Sequence, residues 1–226
     1  VMGTASTMAS IAEAMGMMLP GMAAIPAVNS KRLRLAEQSG RQIVELIKKD
    51  ITPSKIITRK SLENAIRILM AVGGSTNAVV HLPAIAGRLG IDLPLELFDE
   101  LSRTTPLIVD IRPSGEKYLM EDLAAAGGIP CVMKELETIL HSDCLTVTGE
   151  SIFKNLENIK GPENWQNVIY KKEKPISPEG GIVVLYGSLA PDGAVLKVSA
   201  ADPKKLQHKG KAVVFKSQED MEKRID

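Results

Sequence analysis

Two adjacent glycines followed by three hydrogen-bonding side chains, Gly73-Gly74-Ser75-Thr76-Asn77, constrain the fold of this chain more than any other segment. The glycines end an apolar run that begins at Thr58, with Leu62, Ala65, Ile66, Leu69 and Met70 at helical spacing. A second apolar run opens at Asn77 and continues to Arg88, where Gly90 closes it. The segment therefore predicts a sharp turn between two helices. Ser75, Thr76 and Asn77 are all good N-cap residues. Free N–H groups and a positive dipole end at such a helix start also favour an anion. The turn thus reads either as a capped helix or as an anion cradle.

The flanking sequence is helix-rich. Thr4 to Met18 carries small and apolar residues on nearly every face and predicts a helix packed on several sides, stopped by Leu19-Pro20-Gly21. Ser30 caps a long helix to about Lys49, with apolar positions at Leu33, Leu35, Ala36, Ile43, Val44 and Ile47. Shorter helices are expected at Leu95 to Ser102, Tyr118 to Ala126, Pro130 to Leu140 and Ser151 to Ile159. Leu107 to Ile111 is a β-branched run between Pro106 and Pro113, the pattern of a buried strand. From Trp165 to Ser177 the chain is polar and aperiodic, as in a linker. Gly181 to Tyr186, Ala194 to Val198 and Ala212 to Lys216 then read as short strands separated by turns. Ser217 caps a final helix. The expected class is α/β: a helix-rich α/β portion over residues 1–160, a linker at 161–178, and the start of a β-rich, barrel-like domain at 179–226.

Composition narrows the function. A formal net charge of +1 makes no electrostatic case for nucleic acid or an anionic membrane. No apolar run reaches the roughly 18 residues of a membrane span, and Glu13 interrupts the Met-rich opening that would otherwise resemble a signal peptide. The two cysteines, Cys131 and Cys144, form no disulfide framework and suit a reducing, cytoplasmic setting. They lack Cys-x-x-Cys spacing, and His81, His141 and His208 lie at no metal-ligand spacing. His81, one turn beyond Asn77, reads as a packing residue. Glu121 and Asp122 sit at a helix start, where they complement the dipole. Chemistry from the residues alone is thus confined to the turn at 73–77.

Several segments together resemble one family. Met2-Gly3-Thr4-Ala5-Ser6-Thr7-Met8, Gly73 to Asn77 with His81-Leu82-Pro83-Ala84-Ile85-Ala86, and Arg112-Pro113-Ser114-Gly115 with Tyr118 to Asp122 and Gly127-Gly128-Ile129-Pro130 occur in collinear order. Gly180-Gly181 and Leu189 to Lys197 follow. These resemble the dihydroxy-acid and sugar-acid (aldonate and phosphogluconate) dehydratases. The resemblance implies a hydro-lyase that converts a 2,3-dihydroxy carboxylate to a 2-keto acid. It implies an iron–sulfur cluster held by three cysteines, Mg²⁺ beside a modified lysine, and a serine base. It also implies a small-molecule acid as partner and a homo-oligomer, dimer or tetramer.

By the same resemblance, the nearest cluster cysteine is expected just before Val1, the Asp-Lys metal segment further upstream, and the serine base beyond Asp226. This chain is therefore expected to be a central fragment with no first-shell catalytic residue and no metal ligand, inactive in isolation. Thr4, Ser6, Gly74, Ser75, Thr76 and Asn77 are its expected substrate-binding residues. Gly3 to Ser6, Leu206 to Phe215 and the polar insert at Trp165 to Ile176 look more like the sugar-acid branch, which favours an aldonic acid over a branched-chain dihydroxy acid. Two other classes remain open: a catalytically silent assembly or regulatory domain, and a bare anion-binding module.

Overall fold

The computed structural model describes residues 1–225. Helices dominate. In chain order they are α1 (Thr4–Ala14), α2 (Lys31–Lys48), α3 (Pro53–Ile56), α4 (Arg59–Ala71) and α5 (Ala78–Gly87). Then come α6 (Leu95–Arg103), α7 (Met120–Ala125), α8 (Gly128–Glu135), α9 (Ile152–Leu156) and α10 (Gln218–Arg224). The only sheet among the described residues is an antiparallel hairpin of β1 (Val183–Gly187) and β2 (Ala190–Leu196). It pairs Val183 with Leu196 and Leu185 with Ala194, then shifts register before Gly187 meets Ala190. The α/β class holds, with its β content in that hairpin.

α4 is the axis of the core. Leu62, Ala65, Ile66, Leu69 and Met70 face one apolar cluster, which includes Ile11, Leu82 and Phe98. Ile68, Ala71 and Val72 face a second cluster with Ile108, Val109, Leu123 and Ile129. Being apolar on two sides, α4 is held by burial on both, with Arg59 and Lys60 exposed and Glu63 and Arg67 half-buried on the rest of its surface. Each fully buried Leu or Ile contributes roughly 1.5–3 kcal/mol. Thr58 starts the helix through a capping box: its hydroxyl accepts from the Ser61 N–H, and the Ser61 hydroxyl accepts from the Thr58 N–H. α1 packs along α4 and contributes Ile11 and Met15 to one cluster and Ala14 to the other.

Three expectations are corrected. Leu107 to Ile111 is buried and extended, but it is no strand of a sheet; it makes single bridges to Ser177, Ile169 and Tyr118. The N–H groups of Ile108 and Val109 both donate to the Ala71 carbonyl at the end of α4 instead of entering a ladder. The polar stretch expected as a linker supplies the other bonds: Tyr170 N–H donates to Ile108 and Ile176 N–H to Leu107, while Val168 and Ile169 are buried. A turn at Lys171 to Lys174 separates these contacts and prevents a continuous ladder. Ala212 to Lys216 is not a strand, because no described strand lies beside it to share hydrogen bonds, and Val213 and Val214 are exposed. α2 forms where expected; it buries Leu35 and Leu46 and turns Leu33, Ile43, Val44 and Ile47 outward. His81 is exposed, not packed.

Candidate functional site

The turn after α4 is a Schellman motif. Gly73, at φ +56°, donates its N–H to the Met70 carbonyl, and the Gly74 N–H donates to Leu69. Gly73 thus has the left-handed conformation that L side chains rarely adopt. Gly74 serves a different need, close approach: a Cβ there would lie 2.8 Å from Thr7 Cγ2 and 2.7 Å from Leu69 Cδ1. That closeness lets α1 reach the turn. The Ser75 N–H donates to Thr7 Oγ1 at 3.0 Å.

The start of α1 and the start of α5 therefore meet, although about seventy residues of chain separate them (|i−j| of 71 and 73 for the joining bonds). Asn77 Nδ2 donates to Thr4 Oγ1 at 2.7 Å, and Thr4 Oγ1 lies 3.2 Å from Ser75 Oγ. Thr4 and Ser75 are half-buried and Asn77 is exposed. Of the six expected site residues, the structure joins Thr4, Ser75 and Asn77 in one hydrogen-bonded cluster, with Gly74 buried behind them. Ser6 turns away: its hydroxyl accepts from the Gly3 N–H and caps α1. Thr76 is half-buried next to Ser75, and its hydroxyl has no hydrogen bond among the described residues.

The cap itself differs from expectation. Asn77 stands at the N-cap of α5 in helical conformation without a side-chain cap bond, because its amide reaches across to Thr4. Ser75 Oγ accepts from the Asn77 N–H instead. The N–H groups of Ala78, Val79 and Val80 already donate to the carbonyls of Ser75, Thr76 and Asn77. The first turn of α5 thus consumes the donors that an anion cradle would use. What remains is a neutral set of hydroxyl and amide groups, suited to alcohol groups of a ligand more than to its charge.

No three His, Cys, Asp or Glu side chains converge among the described residues in a way that holds a metal ion. Cys131 and Cys144 are both buried, and burial pushes each thiol up to about 11. A thiolate, the form that ligates metal, is therefore costly at either position. The residues described here do not provide a ligand set for an iron–sulfur cluster or Mg²⁺.

Two features escaped the sequence reading. Thr7, one turn after Thr4, is buried and anchors Ser75; its place on the same helix face was the available signal. Glu13 is buried at 5% exposure, its oxygens accepting from the Gly21 and Ala23 N–H groups at 2.6 and 2.8 Å. Burial pushes its carboxyl up to about 7 against the pull of those bonds. It ties the end of α1 to the loop around Leu19 to Ala24.

The two joined helix starts lie within sequence shared with a known enzyme family. Residues 1–155 match the dihydroxy-acid/6-phosphogluconate dehydratase N-terminal domain, and residues 167–226 match the C-terminal domain of the same family. The chain belongs to that family. It is 54% identical over 218 residues to an L-arabinonate dehydratase of Rhizobium leguminosarum bv. trifolii, covering 95% of this chain and 37% of the relative. It is 49% identical over 226 residues to a dihydroxy-acid dehydratase of Methanosarcina acetivorans, covering 99% and 41%. A dihydroxy-acid dehydratase of Ignicoccus hospitalis is 50% identical over 224 residues, at 98% and 40%. The chain thus spans well under half the length of these curated relatives. No helix among the described residues is long and apolar enough to cross a membrane.

Proposed function

We propose that the full protein is a hydro-lyase that dehydrates a 2,3-dihydroxy carboxylate, an aldonic acid, to a 2-keto-3-deoxy acid. The observation that carries this reading is the convergence of Thr4, Ser75 and Asn77 from two separate family motifs into one cluster of neutral hydrogen-bonding groups. An aldonic acid carries several adjacent hydroxyls, and each is both donor and acceptor, as are the hydroxyls of Thr4 and Ser75. In this proposal the segment binds and orients the hydroxylated carbon chain. Proton removal from C2 and departure of the C3 oxygen fall to groups outside residues 1–226, as do the ligands of the iron–sulfur cluster and Mg²⁺ that would supply Lewis acidity. The division into an α/β portion at 1–160, a connector at 161–178 and a β-rich domain from 179 belongs to the same proposal. So do the cytoplasmic setting and the dimer or tetramer.

The aldonate assignment is supported by 54% identity to an L-arabinonate dehydratase, against 49% and 50% for the two dihydroxy-acid dehydratases above. Those relatives favour the second reading, a branched-chain dihydroxy acid. Keto-acid release by the full-length protein from a panel of aldonates and a branched-chain 2,3-dihydroxy acid separates them. We expect kcat/KM at least tenfold higher for an aldonate. A preference for the branched-chain acid would establish the second reading, and release from neither would refute both.

A further inference from the structure

Gly73, the peptide that leads into the candidate site, is also where three distant segments touch. Ser114 Oγ donates to the Gly73 carbonyl at 2.6 Å. Ser199 Oγ donates to Ser114 Oγ at 3.2 Å and lies 3.3 Å from the Gly181 carbonyl. Gly181 in turn donates its N–H to the Met70 carbonyl, which also accepts from Gly73. The two glycines are in backbone contact: a Cβ on Gly181 would lie 2.8 Å from Gly73 Cα. The foot of the β1–β2 hairpin therefore rests on the turn, with the two serines bracketing the contact.

We propose that Ser114 is a positioning residue: held by Ser199, it fixes the Gly73 peptide so that Ser75 and Asn77 stay against Thr4. The placement of the hairpin is thereby transmitted to the candidate site. A hydrogen bond to a buried carbonyl is costly to lose, and this carbonyl precedes Gly74-Ser75 directly. A shift of residues 181–199 acts on it through Ser199, beside the direct backbone contact of Gly181 with Gly73. The chain that follows the hairpin thus gains a mechanical link to the Thr4–Ser75–Asn77 cluster. This inference rests on the proposed function for its catalytic consequence but not for the coupling itself.

The test uses the full-length protein with Ser114→Ala, Ser199→Ala, the double variant and Ser114→Thr. Amide hydrogen exchange at Gly74 and Ser75 is expected to speed up at least tenfold in Ser114→Ala, while that of α8 stays unchanged. Ser199→Ala should produce a smaller change in the same amides, and the double variant should match Ser114→Ala. On the substrate that the wild type turns over, kcat should fall at least fivefold in Ser114→Ala with KM changed less than kcat, and Ser114→Thr should restore it. Unaltered exchange at Gly74 and Ser75 would overturn the coupling. Faster exchange with unchanged kcat would overturn the positioning role. A wild type that forms no keto acid would sink the proposed function alone, and the exchange measurement would still decide the coupling.

Discussion

Gly73→Val is expected to cost about 2–5 kcal/mol of stability, the largest single effect foreseen in this chain outside wholesale core truncation. Two terms add. An L side chain in the left-handed conformation, at φ +56°, costs roughly 1–2 kcal/mol. The Cβ would also stand 2.8 Å from Ser114 Oγ, 3.0 Å from Ser114 Cβ and 3.1 Å from Leu107 Cδ1, and overpacking of this kind costs roughly 1–3 kcal/mol. Gly90 separates the terms, because at φ +68° it has nothing within 4 Å of its would-be Cβ. Urea unfolding of Gly73→Ala and Gly90→Ala should show the Gly73 variant to be less stable by at least 1 kcal/mol. Equal losses would mean that conformation alone, and not the contact with Ser114, makes the glycine necessary.

The second large effect is pH-dependent and belongs to Glu13. Its folded-state pKa, about 7, lies above the ordinary 4.5 because burial penalises the carboxylate. The native state therefore holds the proton more tightly than the unfolded chain does. The favourable contribution is fully present below pH 4.5 and is lost as pH rises toward 7, beyond which stability is flat with respect to this group. At about 1.4 kcal/mol per pH unit the loss amounts to about 3 kcal/mol. Glu13→Gln removes the titration, so its stability profile should be flatter than that of the wild type by about that amount across this window. Because glutamine offers one acceptor to two N–H donors, the variant also carries a constant cost of roughly 1–3 kcal/mol. Parallel profiles for wild type and variant would show that Glu13 does not titrate as described.

The residues that were legible from sequence are those whose signal is local. Thr58 marks a helix start and Gly73-Gly74 a helix end, because capping and left-handed turns depend on a few neighbours. Ser30 stands at the start of α2 but makes no cap bond, and Asn29 Oδ1 accepts from the Lys31 N–H instead. Leu107 to Ile111 was legible as buried and extended, but its partners at Val168 to Tyr170 and Ile176-Ser177 lie about sixty to seventy residues on, in a stretch whose polarity hid them. The outward face of α2 carries the same apolar residue types as its buried face, so periodicity identifies the helix without saying which stripe is covered. At the site, Thr4 and the 73–77 turn were visible as separate motifs. Their junction depends on the close approach that Gly74 allows, which no spacing in the sequence expresses. The same holds for Ser114, visible only as part of the Arg112 to Gly115 motif, and for Ser199, which no motif marks; the fold sets them 3.2 Å apart.

The central claim is that the Thr4–Ser75–Asn77 cluster binds the hydroxylated substrate of a dehydratase. The most direct measurement is keto-acid formation from an aldonate by the full-length protein, compared with its Ser75→Ala and Asn77→Ala variants and with unfolding midpoints taken alongside. The account predicts at least a tenfold loss of kcat/KM in each variant, with stability lowered by about 1 kcal/mol. Activity within twofold of wild type, with only stability reduced, would make the cluster a helix junction and contradict the account.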